Sequence, residues 1–194
     1  VTSLLGNQNF AANQRQELLT VIDEEADRLN RLVGEAAEMA QLDANKVELQ
    51  LAQYSMQEAV ADSVEEARQA LGKHPVEIQV PENLPSVNMD VDRVKEVLIH
   101  LLENASKYSA PDAPIHITAE ARDGELTTSV ADHGPGIDEF EQSLIFDKFY
   151  RGRNQRARVQ GTGMGLAIAK AIVAAHGGRM GVTSQLGYGS VFYF

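Results

Sequence analysis

The sequence contains no cysteine and no tryptophan. Without cysteine there is neither a disulfide framework nor a thiolate metal site, which suits a reducing, cytoplasmic setting and leaves stability to the apolar core. Basic residues are scarce: 17 Lys and Arg stand against 28 Asp and Glu, a net charge of −11. That balance excludes a general nucleic-acid or anionic-membrane surface, save where cations cluster locally. Long apolar runs are missing too. None approaches the roughly 20 residues needed to cross a bilayer, and Val1 is not followed by a charged stretch and an apolar segment of the signal-peptide kind, so no direct membrane insertion is expected. The chain opens on Val1 inside helical-looking sequence, which reads as a piece of a longer protein whose remainder can be anchored in the inner membrane. What is present, 43% hydrophobic residues in 194, is enough for one domain of ordinary size and a smaller appendage.

Residues 14 to 42 place Leu18, Ile22, Leu29, Leu32, Val33, Ala36, Met39 and Ala40 at three- and four-residue spacing. This is an amphipathic helix, with Asn13 and Gln16 as a capping box; Val1 to Leu5 read as the end of an earlier helix, and such a partial hairpin needs a partner to cover its stripe. Residues 1–44 are therefore expected to form a partial helical hairpin and residues 45–194 a second domain. In that domain, Val47, Leu49 and Leu51 alternate as in a strand. Ser55 and Glu58 make a capping box before a helix running to Leu71, and strand-like VEIQV and VNM follow. A buried helix spans about Asp90 to Ser109. IHITAEAR and ELTTSVAD form a hairpin turned by Asp123-Gly124, a long Gly-, Arg- and Gln-rich loop follows, and a helix from about Gly163 to His176 precedes two closing strands. The elements do not alternate strictly, so the fold class is α+β, a two-layer α/β sandwich with three helices on one face of a mixed sheet.

Four segments carry chemistry. On a helix His100, Asn104, Lys107 and Tyr108 share one face, where an amide oxygen can bind Mg²⁺ and an ammonium can meet phosphate; a core helix with a solvated polar edge fits equally well. Asp132-His-Gly134-Pro-Gly136-Ile137 follows a strand. Its glycines permit close backbone approach and its carboxylate can accept from an exocyclic amine, although tight Gly-Pro turns often read this way. Gly161-Thr162-Gly163-Met-Gly165-Leu166 opens a helix whose exposed N–H groups favour phosphate, alone a weak signal. Gly187-Tyr-Gly189-Ser190 precedes the last strand and by itself reads as a hairpin turn.

Taken in order, these segments resemble the N, G1, G2 and G3 boxes of the histidine-kinase branch of the Bergerat-fold ATPases, with Phe146-Asp-Lys-Phe149-Tyr-Arg151 where that family has its F box. The resemblance spans residues 47 to 194 and extends to Asp23–Val33, which is similar to the second dimerisation helix of sensor histidine kinases, most of all the Kdp-type potassium-responsive ones. It implies a Bergerat fold, ATP and Mg²⁺ as ligands, Asn104 on the metal, Lys107 on phosphate and Tyr108 along the pocket. Asp132 would read the adenine amine, with Gly134, Gly136 and Ile137 shaping the base pocket. Gly161, Thr162, Gly163, Gly165 and Leu166 would hold the triphosphate side, Ser190 would stand in the G3 box, and Arg151 would reach the γ-phosphate. Residues 138 to 160 become the ATP lid, carrying Lys148, Arg151, Arg153, Arg156 and Arg158 in an otherwise acidic chain.

The family usually has asparagine at the position of His100, where histidine would polarise the attacking group or serve only the structure. His133 and Ser190 also depart from the common residues, asparagine and threonine. His176 reads as packing and helix termination. No histidine of the chain is followed by the family's phospho-acceptor pattern, so that box is expected upstream of Val1, and this piece is not expected to phosphorylate itself. The implied partners are a response-regulator receiver domain and a second copy through the hairpin. The competing readings are a clamp-type ATPase with His100 in place of a catalytic glutamate, and a non-catalytic ATP-sensing scaffold.

Overall fold

The computed structural model describes residues 12–44, 48–152 and 161–194. Helix α1 (Ala12–Asp43) is 32 residues long. It already includes Ala12 and Asn13, so Asn13 is inside the helix and not its cap. Val1 to Leu5 lie outside the described residues.

The second unit begins with strand β1 (Ala52–Tyr54), helix α2 (Met56–Glu66), the short helix α3 (Arg68–Leu71), and strands β2 (Val76–Gln79) and β3 (Val87–Met89). Helix α4 (Val91–Tyr108), strands β4 (Ile115–Arg122) and β5 (Glu125–Asp132), the single-turn helix α5 (Glu139–Gln142), helix α6 (Gly165–Ala175) and strands β6 (Gly181–Gln185) and β7 (Gly189–Tyr193) complete it. β1 and β3 pair by themselves, antiparallel. The main sheet has five strands in the order β2-β4-β5-β7-β6, with β2 parallel to β4 and every other pair antiparallel. Helices α2, α4 and α6 pack side by side against it, giving the expected α+β sandwich with a mixed sheet.

Helix α4 is the spine of the domain. Val94, Val97, Leu98, Leu101, Leu102 and Ala105 are buried at three- and four-residue spacing and meet Ile115, Ile117 and Val130 of the sheet in one core. Each such fully buried side chain stabilises by about 1.5–3 kcal/mol relative to exposure. Asp90 starts the helix: its Oδ1 accepts from the Arg93 N–H at 3.2 Å and its Oδ2 from the Gln50 N–H at 2.9 Å, so one carboxylate caps α4 and ties down the incoming chain. The β4–β5 turn places Asp123 at φ 54° and Gly124 at φ 83°, the left-handed pair that a two-residue hairpin requires.

Part of α1 is covered. Met39 and Leu42 are buried in the core, whereas Leu29 and Val33 are 60% and 69% exposed. The last turns of α1 thus dock on the α/β unit, with α1 lying against α6 and Glu38 paired to Arg93 of α4.

Four expectations need correcting. The strand read over residues 47–51 starts at Ala52 instead, because β3 is there to pair with it; Val47 lies outside the described residues. Ser55 does stand at the N-cap of α2 but its side chain makes no capping bond, so the capping box is absent. The helix expected to reach Leu71 breaks at Ala67, which closes α2 and opens α3. The first part of the long loop is folded: α5 and a 3₁₀ turn at Leu144–Phe146 occupy it. Asp138 caps α5 through the Phe140 N–H at 3.0 Å, and Gln142 Nε2 donates to the carbonyls of Ile137 and Ser184 at 3.1 and 3.0 Å. Arg153, Arg156 and Arg158 lie outside the described residues.

Candidate functional site

The C-terminal half of α4, the C-terminal end of β5 and the start of α6 converge at one end of the sandwich, where Gly134 reaches Tyr108 and Gly165 reaches His100. His100, Asn104 and Tyr108 are half-buried on one face of α4. Gly134 comes so close to the end of this helix that a Cβ on it would stand 2.9 Å from the Tyr108 carbonyl and 2.8 Å from Asp132 Oδ1. The His133 N–H, in the same turn, donates to Ser109 Oγ at 3.3 Å.

Asp132 is the electrostatic centre of this end. It is 9% exposed; its Oδ1 accepts from the Gly134 N–H at 2.8 Å, and Ser190, its register partner on β7, bonds to it through both backbone and side chain. Burial pushes the carboxyl above its usual range, and those bonds from Gly134 and Ser190, with the nearby His133, draw it part of the way back. Such a buried acceptor is suited to an amine donor in a site with little water.

A chain of hydroxyls runs from it. Ser190 Oγ lies 3.0 Å from Ser184 Oγ. Ser184 accepts from the Ile137 N–H at 2.8 Å and donates to the Gly189 carbonyl at 2.8 Å. Ser184 thereby joins the Gly-Pro turn to the last hairpin. Nothing in the sequence marked it, since a serine in an exposed-looking strand has no motif. The Gly187 N–H adds a bond to the Pro135 carbonyl at 2.8 Å.

Several of the glycines also serve the packing of the site's own backbone. Gly136 has φ +72°, and a Cβ there would lie 2.1 Å from the Gln185 carbonyl oxygen; at Gly189, with φ +114°, it would lie 2.0 Å from that of Asp132. At these positions the close approach is of backbone to backbone. Gly163 is similar: its carbonyl accepts from the Phe149 N–H at 3.0 Å, and a Cβ would stand 2.8 Å from the Tyr150 carbonyl, so the F-box segment is clasped to the start of α6. Of the three expected on the phosphate side, Gly161 alone would meet nothing within 4 Å among the described residues. Thr162 Oγ1 accepts from the Met164 N–H at 3.2 Å just before α6, and Leu166 packs on the core.

The cations are arranged unevenly. Lys107 Nζ is held by Glu103 Oε2 at 2.7 Å, one turn back on its own helix. Arg151 lies near enough to Tyr108 that its charge draws the phenol pKa down, against burial, the larger effect, which raises it. His100 is seated between α4 and the first turn of α6, 3.1 Å from where a Cβ on Gly165 would be. Burial holds its pKa below the usual 6.5, and its buried Nε2 has no hydrogen-bond partner among the described residues, lying 3.9 Å from Glu96 Oε1. A cavity of about 640 Å³ is elsewhere, lined by Met56, Met89, Val94, Leu126 and Ile172 at the opposite end of α4 and α6.

The family profile described as Histidine kinase-, DNA gyrase B-, and HSP90-like ATPase matches residues 89–194. The chain belongs to this family. Within it the similarities are to sensor kinases. The Sensor protein KdpD of Clostridium acetobutylicum is 31% identical over 194 residues, all of this chain and 22% of the relative. The Sensor protein KdpD of Escherichia coli K12 is 37% identical over 148 residues, 76% of this chain and 16% of the relative. Full-length ShkA, solved in complex with AMPPNP, superposes with a TM-score of 0.77 at 32% identity, over 98% of this chain and 40% of that one. The mycobacterial sensor histidine kinase MprB gives 0.65 at 28%, over 74% and 94%. The chain spans between 16% and 22% of the length of the two KdpD relatives. It contains the ATP-binding catalytic domain of a sensor histidine kinase, and the relatives named do not favour the clamp-ATPase alternative. No described helix is long and apolar enough to cross a membrane.

Proposed function

We propose that the whole protein is a sensor histidine kinase that moves the γ-phosphate of ATP to a histidine upstream of Val1 and from there to an aspartate of a response-regulator receiver domain. The observation that carries this reading is the buried Asp132 carboxylate, held by Gly134 and Ser190 beside the end of α4. In this proposal it accepts the adenine amine, Gly134, Gly136 and Ile137 wall the base, and Tyr108 covers it. Lys107 and Arg151 meet the phosphates, the latter at the γ position, with Gly161, Thr162, Gly163, Gly165 and Leu166 presenting backbone N–H groups. His100 acts as a positioning residue beneath Gly165.

Mg²⁺ fits this donor set in one way. Among the described residues no group of three or more His, Asp or Glu side chains is arranged to hold a metal ion, so Asn104 would supply one oxygen and the nucleotide phosphates and water the rest, as is usual for this ion. Bound there, it neutralises charge that develops on the transferred phosphoryl group.

Residues 1–44 are proposed as part of the dimerisation hairpin and residues 45–194 as the catalytic domain. The exposed Leu29 and Val33 on α1 support pairing with a second copy, which would also present the receiver-binding surface. A cytoplasmic position on an inner-membrane parent, and a potassium-linked signal, extend the likeness to the KdpD relatives. Calorimetric titration of the chain with ATP, with and without Mg²⁺, tests the site: binding that Mg²⁺ strengthens and Asp132→Asn weakens about 100-fold or more is expected, a loss of roughly 2.7 kcal/mol. Native-like affinity in the variant would sink the assignment. Extending the chain through the upstream helix separates kinase from scaffold, because only a kinase gains a phosphoramidate.

A further inference from the structure

On the sheet face away from the helices, register brings three titratable side chains together. Glu77 of β2 is the register partner of His116 on β4, and His116 is opposite Ala131 on β5. His133, two residues beyond Ala131, projects to the same side as its diagonal neighbour.

The two imidazoles meet Nε2 to Nε2 at 3.4 Å, with the rings inclined by 73°. That is long for a hydrogen bond between ring nitrogens. It is the spacing that a shared metal ion imposes, since two Zn–N bonds of about 2.0–2.1 Å at the tetrahedral angle hold their nitrogens about 3.3–3.4 Å apart. The other nitrogen of His116 is occupied: Nδ1 lies 3.2 Å from Glu77 Oε2. A carboxylate there fixes the Nδ1–H tautomer and leaves the Nε2 lone pair outward, the support that metal-ligating histidines ordinarily have. The His133 backbone is tied in turn to Ser109 Oγ at 3.3 Å. Both rings are reachable, His133 being exposed and His116 half-buried.

We propose that His116 and His133 form a binding site for a late first-row divalent metal ion such as Zn²⁺, oriented by Glu77. Mg²⁺ and Ca²⁺, which require oxygen donors, do not compete there. Two histidines are the only ligands from the described residues, because no group of three is arranged for a metal; water completes the shell and the affinity is modest. The ion links β4 to the turn that contains Asp132 and Gly134. It would therefore bias the nucleotide end of the fold, a consequence resting on the function proposed above, whereas the metal site does not depend on it.

Titration of the nucleotide-free chain with ZnCl₂ is expected to show one saturable site that a tenfold excess of Mg²⁺ leaves unchanged. His116→Gln and His133→Gln should each weaken it at least tenfold, Glu77→Gln about tenfold, and His74→Gln not at all. Histidine ring NMR on the native chain gives a reading independent of any variant's folding: Zn²⁺ should shift the rings of His116 and His133 and leave His74 and His176 in place. Absence of saturable binding, native affinity in the His116 or His133 variant, or shifts confined to other histidines would overturn the proposal. Retained metal binding in a chain that no longer binds ATP would separate this site from the nucleotide site.

Discussion

The imidazole of His100 lies directly beneath Gly165, with Nδ1 3.1 Å from the place a methyl group on the glycine would take. Helix α4 and the phosphate-side turn are thereby in contact through one ring and one missing side chain. Gly165→Ala must move one of them. Expected is a several-fold loss of ATP affinity with the fold retained, and substantial recovery in the double variant with His100→Ala, where the ring no longer resists. Calorimetry on the two single variants and the double one checks this; additive losses would show that the contact does not couple the two elements.

His100 also sets a pH dependence. Burial lowers its pKa in the folded chain from 6.5, so between the lowered value and 6.5 the unfolded chain binds a proton that the folded chain refuses. Stability is therefore undiminished above about pH 6.5 and falls as pH drops through this window. Urea unfolding at pH 7.5 and 5.5 should show a smaller acid loss in His100→Asn than in the native chain. Equal losses would mean that other groups account for the whole effect.

Two glycines assigned to the nucleotide site should behave in opposite ways. Gly136→Ala places a methyl group 2.1 Å from the Gln185 carbonyl at φ +72° and is expected to cost more than about 2 kcal/mol of stability. Gly161→Ala meets no described residue within 4 Å and, as far as those residues set it, should alter stability by less than about 0.5 kcal/mol. A drop in ATP affinity in the second variant would then report approach of the ligand itself. A thermal melt and an ATP titration on both decide it; a destabilised Gly161→Ala would show that the glycine serves the fold.

What was legible in the sequence follows from where local signals agree with tertiary ones. Helix α4, read as spanning about Asp90 to Ser109, and the hairpin turned by Asp123-Gly124 were readable from the sequence, because periodicity and turn chemistry agree there with the tertiary packing. β1 was displaced because its position is set by pairing with the distant strand β3, at Ala52↔Met89 and Tyr54↔Val87, which alternation cannot show. The helix α5 was missed since four residues have no periodicity; what holds them is Gln142 reaching two carbonyls. At the site, residue types were legible and their supports were not. Ser184 belongs to the network only because the sheet register places it opposite Ser190.

Arg93 joins the two units. It pairs with Glu38 of α1 and, at 2.9 Å, with Glu96 of its own helix. The side chains of Arg93 and Glu38 are 29% and 24% exposed, so the arrangement is largely shielded. Burial first and Glu96 next raise the Glu38 carboxyl above its usual 4.5, with Arg93 opposing them. Arg93→Met leaves two carboxylates facing each other and should cost about 1–3 kcal/mol at neutral pH. A carboxyl with a raised folded pKa is penalised where it is ionised, so the loss should shrink as pH falls through the folded value toward 4.5, where protonation relieves the repulsion. Amide exchange resolves where the loss falls: it should quicken over residues 36–43 of α1 while the buried strands β4 and β5 keep their protection. Uniform quickening would mean that α1 and the catalytic unit open as one body, and a loss independent of pH would mean that Arg93 acts through packing alone.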